Sequence, residues 1–105
     1  MSRVSRVSVG SQTTSSPIII DHLAESFAVG FGVTLGGGTM TYSVQHTFDD
    51  IWDPAVTPTW FDHDSVVGKV NVNDDGNYAF PVRAVRLNVT AYTSGTGVLT
   101  LIQAR

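Results

Sequence analysis

The chain has 105 residues, a net charge of −3, 42% hydrophobic and only 14% charged residues, and no cysteine. That length fits one domain able to bury a core without staples, and the missing cysteine excludes a disulfide framework, a thiolate zinc site and a cysteine nucleophile. Arg3, Arg6, Arg83, Arg86 and Arg105 form no basic stripe for nucleic acid, and no apolar run approaches the roughly 18 residues of a membrane span.

Arg3 to Val9 alternates weakly, and Gly10 to Ser16 (GSQTTSS) has linker composition. Residues 1–16 are therefore expected to form an extended N-terminal arm, and 17–105 the folded domain. The opening MSRVSRVSVGSQ lacks the continuous apolar core of a signal peptide, so the mature protein is expected to begin at or near Met1. Pro17 to Ile20 starts a short buried strand, and Asp21–Phe27 (DHLAESF) is the one helix candidate, at most two turns. Phe27, Val29, Phe31, Val33 and Leu35 take one face of a strand, with Ala28, Gly30, Gly32 and Thr34 opposite. The small face implies a close approach, by the second sheet or by a neighbouring subunit. Gly36 to Gly38 turns the chain, and Met40, Tyr42, Val44, His46 and Phe48 repeat the alternation, so the two runs are expected to form a hairpin.

Asp49 to Asp64 is a long irregular excursion holding both tryptophans. Val66 to Val72 is a strand, NDDGN at 73–77 a tight turn with Gly76 at positive φ, and Ala84–Ala91 and Val98–Gln103 close the sheet. Seven or eight short strands with turn signals every 8–12 residues or so describe an all-β chain, a single β-sandwich of jelly-roll type.

Chemistry is sparse. His22, His46 and His63 lie 24 and 17 residues apart, and no pair has metal-ligand spacing. His46 falls on an apolar strand face, as a core or interface histidine does; His63 is expected to be a solvated loop residue. Asn71–Gly76 echoes a calcium loop, but Asn71 and Val82 stand where Asp and Glu are required, so a hairpin turn is expected and no metal or cofactor. No Ser-His-Asp set sits in a strand-turn-helix context. Asp49, Asp50, Asp53, Asp62 and Asp64 form the densest charge. Asp50 and Asp62 as an acid–base pair for glycan hydrolysis need a deep cleft, and loop capping by Asp is the simpler reading. Trp52, Trp60 and Phe61 either anchor a protein interface, stack on sugar rings, or fold the loop back on the core.

Three stretches carry a family resemblance: Tyr42 to Pro54 (YSVQHTFDDIWDP), Thr59 to His63 (TWFDH), and Asp75 to Thr90 (DGNYAFPVRAVRLNVT) followed by SGTG and LTLIQA. Over roughly residues 40–103 the chain resembles short virion-associated proteins of tailed bacteriophages, of the head decoration (cement) type. The resemblance implies a non-enzymatic β-sandwich on the outer capsid surface, assembled in the host cytoplasm, that bridges neighbouring major capsid protein subunits. It brings no catalytic residues. A charge-poor surface rich in Thr, Ser, Asn and Gly suits a protein packed into an assembly, and equally an ordinary Thr/Ser-rich sandwich.

The expected mechanism has the arm adding a strand to a coat-protein sheet or a sister copy, with Val4, Val7 and Val9 as its alternating contact residues. A homo-oligomer, dimer or trimer, would add avidity. Trp52, Trp60 and Phe61 complete the expected partner-binding set. The alternative is a tail- or fibre-associated module that binds glycans or another tail protein.

Overall fold

A strand with one apolar face needs a second layer to cover it. The computed structural model describes residues 2–21 and 28–104 and provides that layer with two antiparallel sheets. The strands are β1 (Ser2–Val9), β2 (Ile18–Ile19), β3 (Val29–Leu35), β4 (Met40–Thr47), β5 (Trp60–Asp62), β6 (Lys69–Val70), β7 (Asp74–Tyr78), β8 (Ala84–Tyr92) and β9 (Gly97–Ala104). Among the described residues there is no helix. The helix candidate over Asp21–Phe27 lies, beyond Asp21, outside the described residues, as does Phe27 of the alternating run.

One sheet has the order β1-β9-β3-β7, and the other β2-β8-β4-β5 with β6 also pairing β4. The chain is thus an all-β sandwich with nine described strands, some shorter than the sequence suggests. Inward-facing Val29, Phe31, Val33, Leu99 and Leu101 of the first sheet meet Tyr42, Val44, Val85, Leu87 and Val89 of the second, all buried. Each such side chain contributes about 1.5–3 kcal/mol on burial.

Three local expectations differ from the structure. The alternating runs of β3 and β4 do not form a hairpin but lie in different sheets. Both runs are apolar on one face, and stacking those faces across the sandwich buries both, which side-by-side pairing cannot do. The bend between them packs backbone on backbone against the β8–β9 turn, where Gly38 and Gly95, both at positive φ, leave no room for a Cβ.

The NDDGN stretch is not a turn. Residues 74–78 form β7 against β3, and Gly76 has no positive φ. The crossing from β6 to β7 is made by Asn71, at φ 55°, and Asn73. Their side-chain oxygens accept the backbone N–H groups of Met40 (2.9 Å) and Leu35 (2.9 Å), one strand in each sheet. The Tyr42 hydroxyl donates to the Val72 carbonyl at 2.7 Å, and burial with the nearby Asp74 charge pushes its pKa up to about 12.

Residues 2–9 do not stand apart as an arm. They pair with β9 in an unbroken register from Ser2↔Ala104 to Val9↔Gly97. Residues 13–15 continue along β8, where the Ser15 N–H meets the Leu87 carbonyl and the Val89 N–H the Thr13 carbonyl. The physical reason is Val9, which is buried, and Val7, which packs against the core; an arm free of the domain leaves both in water.

Candidate functional site

Two surface features stand out among the described residues, and the first follows from the sheet register. On the outer face of the β1-β9-β3-β7 sheet, side chains line up in rows across the strands. One row is Val4, Ile102, Gly30 and Asn77; the next is Arg6, Thr100, Gly32 and Asp75; the third is Ser8, Val98 and Thr34. Val4 is 50% and Ile102 47% exposed. With no side chain on Gly30 or Gly32, the centre of the face sinks into a trough. One hollow of about 330 Å³ is lined by Gly30, Phe31, Gly32, Thr100 and Ile102, and a second of about 590 Å³ runs from Gly30 and Ile102 to Tyr78 and Ala79. The small face of β3 therefore looks outward, so its smallness does not serve packing of the second sheet. Among the described residues the charges in these rows are Arg6 and Asp75, on opposite edge strands.

The other feature is an aromatic cluster at one end of the sandwich. His46 on β4 carries Phe48 and Phe80 edge-on, at ring-centroid distances of 5.4 and 5.8 Å, and Phe61 stacked at 6.0 Å. The three phenylalanines are each about half exposed around a His46 that is 7% exposed. A cavity of about 390 Å³ opens beside them, lined by His46, Asp62, His63, Asp64, Ser65, Gly76, Asn77, Tyr78, Ala79 and Phe80. Trough and cavity share Asn77, Tyr78 and Ala79, so the two surfaces meet along the end of β7.

Hydrogen bonding assigns the protons here. The buried Tyr78 hydroxyl lies 2.9 Å from His46 Nδ1. A buried phenol proton needs an acceptor, so Tyr78 donates, and the His46 proton sits on Nε2. This bond ties the two sheets together. Burial lowers the pKa of His46, the neighbouring His63 adds to that, and Asp62 and Asp64 oppose it. Burial, with the charges of Asp64 and Asp62, raises that of the Tyr78 hydroxyl, which stays a donor.

His63 is buried rather than solvated. Its Nδ1 accepts the backbone N–H groups of Ser65 and Val66, each at 3.2 Å, which leaves Nε2 to donate to the Asn77 carbonyl at 3.0 Å. Asp64, with an oxygen 3.4 Å from Nδ1, finds no proton there. His63 is a structural clasp between the residues after β5 and the end of β7.

The expected partner-binding residues do not converge. Val4 faces outward on β1, whereas Val7 and Val9 face the core; they are not one alternating contact row. Trp60 and Phe61 lie on opposite faces of β5, paired with Thr47 and His46. Arg86 lies 4.1 Å over the Trp60 ring, donates to Gln45 at 2.8 Å, and Gln45 donates to Asp62 at 3.0 Å. The Arg86 guanidinium thus occupies a ring face that a sugar would need. Trp52 is 75% exposed on the 49–59 loop, apart from the cluster. Asp50 lies 3.6 Å from Arg83 and lines a different cavity from Asp62, so the two are not a pair flanking one cleft. Among the described residues no group of three or more His, Asp or Glu side chains is arranged to hold a metal.

Alternation puts Phe48 on the His46 face and singles out nothing at Phe80; both lie just past the ends of β4 and β7, each two residues beyond the His46 or Tyr78 ring that it touches. Nothing local says that the two pairs meet. Comparison with known proteins finds no matching family model, curated protein or solved structure.

Proposed function

We propose that the protein is a non-enzymatic structural module of a bacteriophage virion, which binds the outer capsid surface and staples neighbouring major capsid protein subunits. The observation that carries this reading is the outer face of the four-stranded sheet. An antiparallel sheet facing water normally alternates to a polar side. This one presents Val4, Val98 and Ile102 around a glycine trough, and among the described residues its rows carry charge at the two edges alone. Exposed apolar side chains grouped around a hollow suit a contact surface. The half-exposed aromatic cluster meets it at a corner, and a corner with two adhesive sides suits a body seated between two subunits.

The strand order supports a jelly roll, since β1-β9-β3-β7 against β2-β8-β4-β5, with β6 an offshoot, is two interleaved four-stranded sheets. Viral capsid and lectin domains use that architecture; fold alone does not choose between them. A homo-oligomer on the lattice adds avidity without new contacts.

The test is co-sedimentation with undecorated phage capsids, followed by cryo-EM of the pellet. Stoichiometric density on the lattice is expected, with the β1-β9-β3-β7 face against the shell. Gly30→Glu should abolish binding and leave the fold intact, because nothing lies within 4 Å of a Cβ there. Wild-type protein that stays in the supernatant sinks the capsid reading; a Gly30→Glu protein that still pellets sinks the proposed face.

A further inference from the structure

We propose that the cavity beside His46 is a binding site for a neutral saccharide, taking one hexopyranose unit with a ring face against Phe80. The proposal does not rest on the capsid reading.

His46 holds a donor that no protein group uses. His46 is more than nine-tenths buried, and its Nδ1 is taken by the Tyr78 hydroxyl. The proton is therefore on Nε2, which has no protein partner. Fully enclosed polar atoms without a partner do not occur among the described side chains, so this N–H reaches solvent, and the cavity that His46 lines is the space beside it. A second wall carries an acceptor, Asp64, with Asn77 beside it. Phe80, 48% exposed, forms the apolar wall. The volume of about 390 Å³ falls in the range of small-molecule sites, roughly 300–1,000 Å³.

Ligand chemistry follows from what each wall rejects. Asp62 and Asp64 line the cavity and neither lysine nor arginine does, so an anion is repelled. The His46 N–H faces the same space, so a bare cation meets a donor where it needs an acceptor. Hydroxyl groups donate and accept at once and satisfy both walls. The C–H face of a pyranose is weakly positive and suits the negative face of an aromatic ring. A neutral sugar is the ligand class that uses the donor, the acceptors and the ring together. The site differs from one built on the tryptophans, because Trp60 is engaged by Arg86 and Trp52 stands apart.

The test is an amide-resolved NMR titration of the intact protein. The probes are methyl α-glucopyranoside, methyl β-galactopyranoside and N-acetylglucosamine, with glucosamine as a cationic and glucuronate as an anionic comparison. At least one neutral probe should shift Asn77, Ala79, Phe80 and the His46 ring saturably. Phe80→Ala and Asp64→Asn, both at exposed positions, should each weaken that binding about tenfold, a loss of about 1.4 kcal/mol. His46→Gln, which keeps a donor near Nε2, should retain more affinity than His46→Phe. The proposal is overturned by no saturable shift with any neutral probe, by shifts mapping elsewhere, by unchanged affinity in Phe80→Ala, or by tighter binding of glucosamine. Asp64→Asn should still co-sediment with capsids, so the two readings fail separately.

Discussion

Gly76 and Gly30 lie on neighbouring strands and face opposite sides of one sheet. A Cβ on Gly76 would stand 2.9 Å from Phe31 Cζ and 3.0 Å from His63 Cε1, and both rings are buried. Contacts that short force a ring to shift, so Gly76→Ala should lower stability by about 1–3 kcal/mol, the usual result of overpacking. Gly30→Ala meets open space at an ordinary φ, and should be neutral or stabilising by up to about 1 kcal/mol. Thermal unfolding of the two variants checks the contrast; equal losses would place Gly76 outside the core. The same glycine shows where sequence reading stops. Asp-Asp-Gly-Asn has turn chemistry, but the constraint on Gly76 comes from Phe31 and His63, which only the folded topology brings to it. The His46 face was legible from alternation; its hydrogen bond to a tyrosine in the other sheet was not. That bond has a pH signature. The folded state lowers the pKa of His46, with Tyr78, His63, Asp62 and Asp64 as its neighbours. Below about pH 6.5 the unfolded chain takes up a proton that the folded chain resists, so this stability is complete above that pH and falls as the pH drops. Urea midpoints should decline from about pH 7 to about pH 5 in the wild type and decline less in His46→Gln; parallel curves would remove His46 as the cause.

At the scale of elements, β1 decides between an arm and a structural strand. Its register with β9 runs the full eight residues, and Val9 is 4% exposed. Deleting residues 2–9 strips the β9 edge and uncovers part of the core, so it should cost at least about 3 kcal/mol, of which Val9 alone accounts for about 1.5–3. A truncated chain with an unchanged unfolding temperature would restore the separate arm. Val4→Lys should leave stability within about 0.5 kcal/mol, because Val4 faces solvent. Most strands were readable because period-2 alternation is a local property. Their partners were not, because alternation gives a strand's face without naming its neighbour. That is why β3 and β4 read as a hairpin and prove to be opposite layers.

At the scale of the whole molecule, the low charge has a definite location. Across the β1-β9-β3-β7 face the rows hold Arg6 and Asp75, one at each edge, and between them only Thr100 and Gly32. If this face docks on a capsid as proposed, the contact is apolar burial with its charges at the rim. Rim charges tune association and are screened by salt, whereas apolar burial is not weakened by salt and is strengthened by sulfate. Capsid co-sedimentation should therefore hold steady between about 0.05 M and about 0.5 M sodium chloride, a range over which screening lengths shrink several-fold, and should tighten in sodium sulfate. Binding that collapses across that range would move the contact to the charged loops, where Asp49, Asp50, Asp53 and Arg83 lie, and away from the glycine trough.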